Sequence, residues 1–349
     1  MNHSTPDIVI LHFSDLHFGP YLQGVSSIGE WSSIAASQDY NLLQGMETAI
    51  KVTEVIQNHK DRLVVAVTGD MTTAAEPPAY EAFNNYLRDN PFVSSKDRTG
   101  LELQEIHNRI YVVPGNHDVW LYGSWLTRWK GYSNRKDLYF KYFPERLPNA
   151  YPLLINGISI TIYTIDTNRV DKFNPLNFKN VLGRGRVGKD QIGELQTLHR
   201  SLISGTLPET PPGFDYGSSL KIALMHHHLE LPTNSANNIE QDLLRLEDAP
   251  SVLNLLCGMG VHVVLCGHEH FPYQIPDLKS PSFPNHSILL SCAGSATQIG
   301  CERNSFSIYE ITKNPNRTYN IRLSLYEADA KNSNYFFRES VSKTFTIQS

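Results

Sequence analysis

The chain has 349 residues, 40% hydrophobic and 19% charged, with a formal net charge of -5. That length is ample for a buried core in one large α/β domain or two smaller ones, and the mildly acidic balance excludes broad electrostatic binding to nucleic acid or anionic lipid while permitting a local positive site. No apolar run is long enough to cross a bilayer. The polar Met1–Asp7 stretch carries no basic leader ahead of the short Ile8–Leu11 run, so a cytoplasmic protein with no membrane partner is expected.

In chain order, the compact apolar runs Ile8–Phe13, Leu63–Val67, Ile110–Val113, Ile222–Met225 and Val261–Cys266 read as buried strands. Between the first two, Leu42, Met46, Ala49, Ile50, Thr53 and Ile56 repeat at helical spacing; a second helix is predicted from Lys189 to Leu202, with Ile192, Leu195 and Leu198 on one face. Strands alternating with helices imply a partly parallel central sheet. Ser287–Cys292, Ser305–Ile311 and Tyr319–Leu325 read as antiparallel strands of a second sheet, and Pro208–Gly213 and Pro276–Pro284 as surface loops. Cys257, Cys266, Cys292 and Cys301 lack paired metal spacing and read as buried, reduced thiols.

Each of the five apolar runs is followed within about three residues by a polar motif, where open α/β sheets form their ligand crevice. The motifs are Asp15-Leu16-His17, Gly69-Asp70, Gly115-Asn116-His117-Asp118, Met225-His226-His227 and Gly267-His268-Glu269-His270. Taken singly, an Asp here caps a turn and a His is a hydrogen-bonded near-core residue. Five in this order supply oxygen and nitrogen donors suited to Zn²⁺, Mn²⁺ or iron, with no cysteine among the ligand positions. Two cations about 3.5–4 Å apart provide a nucleophile at neutral pH and draw charge from a phosphoryl transition state.

In these motifs the chain resembles the calcineurin-like metallophosphoesterase superfamily, over roughly residues 8–295. The resemblance implies a single α/β domain over 1–349, a β-sandwich of two packed sheets flanked by helices, with strands in 300–349 completing or extending the second sheet. It implies a dinuclear centre of Mn, Fe or Zn bridged by Asp70, with Asp15, His17 and His270 on one ion and Asn116, His226 and His268 on the other. Two divalent ions carry about +4 and Asp15 and Asp70 return about -2, so the centre attracts phosphate although the chain is acidic. His117 is then expected to face the substrate and Asp118 to orient it through a hydrogen bond. The implied reaction is hydrolysis of a small phosphoester. The SDLHFG, GNHD and GHEH spellings look most like the bacterial cyclic-nucleotide phosphodiesterase branch. A phosphomonoesterase, a pyrophosphohydrolase, a nuclease and a non-catalytic scaffold are the alternatives.

Other residues carry weaker signals. His228 stands where a commoner spelling has proline after a histidine pair, and His227 and His228 read equally as solvated loop residues or substrate contacts. Trp120, Trp125 and Trp129, with Tyr122, Tyr132, Tyr139 and Tyr142, read first as packing and second as a base-stacking surface. Asp166-Thr167-Asn168-Arg169 resembles a segment found in this superfamily near the active-site rim, and reads equally as a plain strand-ending turn. Gly183-Arg184-Gly185-Arg186 is no P-loop, though Arg184 or Arg186 can reach a phosphate.

Overall fold

Apolar residues on both sides of a strand require cover on both faces, and this chain supplies it in layers. The structure, a computed structural model, describes residues 5–19, 40–88, 92–94, 97–101, 103–119, 136–169, 185–231, 246–297, 303–331 and 334–348. The described strands are β1 (Ile8–Phe13), β2 (Leu63–Val67), β3 (Phe92–Ser94), β4 (Asp97–Thr99), β5 (Ile110–Val112), β6 (Asn149–Ile155), β7 (Ile158–Thr164), β8 (Leu220–Leu224), β9 (Val263–Cys266), β10 (Tyr273–Ser280), β11 (Phe283–Cys292), β12 (Ser305–Lys313), β13 (Thr318–Lys331) and β14 (Asn334–Gln348). Helices α1 (Tyr40–Val52), α2 (Glu54–Asn58), α3 (Pro77–Arg88), α4 (Asn116–Val119), α5 (Lys189–Ile203) and α6 (Ala249–Gly258) lie between them, with a further helical stretch at 136–142.

Two mixed six-stranded sheets result, ordered β14-β13-β12-β1-β2-β5 and β10-β11-β9-β8-β7-β6, beside a small β3-β4 hairpin. Strand β1 runs parallel to β2, and β2 to β5; β7, β8, β9 and β11 are likewise mutually parallel where they pair. Alternation in β1 shows the layering. Ile8 and Ile10 join Val64, Ile162, Ile222, Leu265 and Leu289 in a cluster formed by both sheets. Val9, Leu11 and Phe13 point the other way, into a cluster with Met46 of α1 and Phe83 and Tyr86 of α3. Ala223 and Val264 of the second sheet pack with Leu195 and Leu202 of α5 and Val252 and Leu256 of α6. This is the expected sandwich of two sheets flanked by helices.

Several expectations need correction. The strands in 300–349 extend the first sheet rather than the second, because β12 pairs antiparallel with β1, Ile8 opposite Ile311, and carries β13 and β14 outward. Strand β11 belongs to the other sheet and lies parallel to β9. Pro276–Pro284 is no loop but the closed end of a hairpin: β10 and β11 pair on either side of Pro281-Ser282, with a register shift between Ile275 and Leu278 that spares Pro276 a ladder bond. Cys266 and Cys292 form a disulfide, since their register makes them direct partners with Cα atoms 4.5 Å apart. Cys257 is a buried free thiol, and Cys301 lies outside the described residues. The first helical repeat is broken at Thr53, between α1 and α2. Among the described residues no helix is long and apolar enough to cross a membrane.

Phe306 of β12 is fully buried and stacks on Tyr326, ring centres 4.9 Å apart, and against Phe337 at 5.5 Å. Phe306→Ala is expected to destabilise the fold by about 3–5 kcal/mol, whereas Phe336→Ala, at a position 62% exposed, should change it by less than about 0.5 kcal/mol. Urea unfolding of both variants checks this.

Candidate metal centre

All five motifs leave the carboxyl ends of parallel strands, three in the first sheet and two in the second. Backbone bonds lock the loops together: Asp15 N–H donates to Gly69 O, His17 N–H to Asp70 O, and Gly267 N–H to His226 O, each at 3.0 Å. The Ser295 hydroxyl donates to the Asp15 carbonyl at 2.7 Å. Five of the proposed ligands, Asp15, His17, Asp70, His268 and His270, have positive φ between 48° and 77°. Such backbone is uncommon for residues with side chains and persists only where surrounding structure over-determines it.

The seven residues singled out as ligands converge. His17 Nε2 faces His270 Nε2 at 3.4 Å, and His270 Nε2 lies 3.1 Å from Asp15 Oδ1. On the other side His226 Nε2 lies 3.2 Å from His268 Nδ1, 3.1 Å from Asn116 Oδ1 and 3.4 Å from Asp70 Oδ2. Donors about 2.1 Å from a shared ion sit at separations of this size, about 3–3.5 Å. Asp15, His17, Asp70 and His270 form one group able to hold a metal ion, and His226, His227 and His268 a second. His226 donates its Nδ1–H to the Thr68 carbonyl at 2.7 Å, the outward bond that fixes a ligand's tautomer.

Asp15 and Asp70 are almost wholly buried, and the groups charged against them are histidines. Burial alone would raise the Asp70 carboxyl; His226 and His117 override it and hold it well below the usual carboxylate range. Burial would lower His226, yet Asp70 pushes it up to about 9. His17 Nδ1 and His268 Nε2 are buried without a hydrogen-bond partner. Buried anions, converging ring nitrogens and orphaned atoms fit a pair of metal ions.

His117 lies beside the cluster, its Nε2 4.0 Å from Asp70 Oδ2 and its side chain 33% exposed. Asp118 does not orient it. The Asp118 carboxylate accepts from the backbone N–H groups of Met71, Thr72 and Gly115 and from the Thr72 hydroxyl, so it ties the Gly69-Asp70 loop to the Gly115 turn. Burial, reinforced by Asp70, pushes it up to about 7. The group that holds His117 is the Thr73 carbonyl, 2.9 Å from Nδ1.

His227 and His228 are buried rather than solvated; His228 Nδ1 lies 3.4 Å from Glu269 Oε1. The Asp166–Arg169 turn is a brace: the Asn168 side-chain amide donates to the Pro114 carbonyl just ahead of the Gly115 turn, at 2.8 Å, and Gln191 bonds both backbone polar groups of Asp166. Of the aromatic stretch, Tyr139 is buried and Tyr142 stacks on Tyr80 with ring centres 5.1 Å apart, both in packing roles. Trp120, Tyr122, Trp125, Trp129, Tyr132 and Arg184 lie outside the described residues. Sequence reasoning missed the Thr68 and Thr73 carbonyls, which leave no trace in residue identity.

Gly267 shows how tightly the loops close. A Cβ there would collide with the Ser14 hydroxyl and lie 2.7 Å from Asp15 Oδ2. Gly267→Ala is therefore expected to lower metal content by displacing Asp15, at a stability cost of about 1–3 kcal/mol; metal analysis and thermal melting of the purified variant check this.

The pattern of the calcineurin-like phosphoesterases matches residues 8–272. No curated protein matches the chain. Among solved structures it is similar to purple acid phosphatase PPD1 from yellow lupin (Lupinus luteus) seeds, at 13% identity and a TM-score of 0.49, covering 98% of this chain and 53% of the phosphatase, so it spans about half that protein's length. It is also similar to the calcineurin-like phosphoesterase YfkN from Bacillus subtilis, at 12% identity and a TM-score of 0.34, over 98% of this chain and 90% of the other. With five motifs converging on one donor cluster and a match over most of its length, the chain belongs to the calcineurin-like phosphoesterase family.

Proposed function

We propose that this phosphoesterase is a phosphodiesterase acting on a small phosphodiester such as a cyclic nucleotide, with Asp15, His17, Asp70 and His270 holding one metal ion and Asp70, Asn116, His226 and His268 the other. One observation carries the metal assignment: imidazole nitrogens from separate loops meet at 3.2 and 3.4 Å around two buried carboxylates. Bound there, the ions supply a nucleophile at neutral pH and Lewis acidity toward the phosphoryl group. Mn, Fe and Zn all suit such donors.

The remaining chemistry belongs to the chain. Asp70 Oδ1 accepts the His117 backbone N–H at 2.8 Å, while Oδ2 faces His226, so this carboxylate is fixed between the two donor groups. His117 and His270, 33% and 29% exposed, mark the open side of the cluster, from which a substrate arrives. With Nδ1–H committed to the Thr73 carbonyl, His117 turns Nε2 toward the donor cluster, 4.0 Å from Asp70 Oδ2, where it can pass a proton to the leaving oxygen. A diester supports the charge balance, because it brings one negative charge to a centre with a small positive excess. Lys136 and Arg169 are already paired, with Asp166 at 2.7 Å and Glu194 at 3.6 Å.

Hydrolysis of an aryl phosphodiester beside its monoester, with Mn²⁺ or after chelation, tests the reading. Metal-dependent turnover favouring the diester is expected; monoester preference would make the protein a phosphatase instead. Asp70→Ala should abolish turnover with the fold retained, and two bound ions with full activity in that variant would refute the bridge. His117→Ala should keep its metal and lose about 10²–10⁴-fold in turnover, as read by metal analysis beside steady-state kinetics.

A further inference from the structure

We propose that His227 is an additional nitrogen ligand of the ion held by Asn116, His226 and His268. The proposal rests on the dinuclear reading above and extends it to a residue outside the family's ligand pattern.

Three imidazoles surround one point. Ring centres are 5.0 Å apart for His226 and His227, 4.9 Å for His226 and His268, and 4.4 Å for His227 and His268, with interplanar angles of 87°, 68° and 49°. Imidazoles sharing an ion through bonds of about 2.0–2.1 Å place their centres about 4.5–5 Å apart. One ring nitrogen from each of the three lies within 4.8 Å of the other two.

His227 is also held as a ligand is held. It is 1% exposed, and its Nδ1 lies 2.8 Å from the hydroxyl oxygen of the fully buried Thr167, which also takes the His227 backbone N–H at 3.3 Å. A hydroxyl oxygen offers two lone pairs. With one on the backbone N–H, the hydroxyl also anchors Nδ1, and Nε2 is the ring nitrogen assigned to the metal. Thr167 is itself fixed by the bonds of Asp166 to Gln191 and of Asn168 to Pro114. Space for the ring comes from Gly185, where a Cβ would overlap the imidazole and stand 2.8 Å from the His227 Cβ.

The two sites then differ in kind. One combines Asp15 and Asp70 with two imidazoles; the other has three imidazoles, an amide oxygen and a share of Asp70. The nitrogen-rich site favours Zn²⁺, Co²⁺ or Ni²⁺ over Mn²⁺ or Mg²⁺.

The test is calorimetric titration of the metal-free full chain with Zn²⁺, together with visible spectra of the Co²⁺-loaded protein, for wild type, His227→Ala and Thr167→Val. Two sites are expected in the wild type. In His227→Ala one should weaken by about 10–100-fold while the other is unchanged, and the Co²⁺ bands should shift. Thr167→Val, which keeps the ring but frees it, should weaken the same site in the same direction, and it carries the test should the alanine variant fail to fold. Unchanged affinities and spectra, or equal weakening of both sites, would overturn the proposal with the dinuclear centre intact. A wild type that binds no Zn²⁺ would overturn both.

Discussion

Two buried carboxylates that face histidines set the terms for this molecule. Asp15 and Asp70 are sealed from water at the carboxyl ends of adjacent parallel strands, where their charge is tolerable only if something positive shares the space. The protein surrounds them with histidine nitrogens aimed inward, an arrangement that fits a cation between them. A site of this kind is assembled for occupancy, and the twist and pairing of two sheets serve to keep its walls in place.

Rigidity comes from the backbone as much as from side chains. Left-handed conformations at five of the proposed ligand positions turn the chain sharply enough for Asp15 and His17 to enter one donor group from a single loop, and for His268 and His270, two residues apart, to enter the two different groups. Their strain is held by bonds between loops: Ser295 to Asp15, Thr297 to Leu16, Gly267 to His226. Asp118 belongs to the same framework, since its four hydrogen bonds staple two motif loops together.

The centre was largely legible in the sequence because its chemistry depends on residue type. Asp, Asn and His at strand ends cannot be exchanged without changing the donors, so order and placement announced the cluster. What stayed hidden depends on pairing or on backbone atoms. Which sheet takes β12 is decided by its bonds to β1, three hundred residues away, and no local pattern encodes that. Pro276 signals a loop wherever it stands, and only the register shift beside it reconciles it with β10. His117 is held by a carbonyl that any residue at position 73 would supply. Gly185 looked like half of a failed phosphate motif; its use is the room it leaves for His227.

The pairing of β1 with β12 has a consequence for synthesis. The first motif follows β1 directly, yet one flank of that strand is completed only by Ser307–Ile311. As the chain emerges from the ribosome, β1 must wait for β12, far later in the sequence, before both of its sides are paired, exposing an apolar edge in the interval. Such distant closure is slow. The interval before β12 arrives is therefore when this protein is most open to misassociation, and chaperone dependence should be concentrated there.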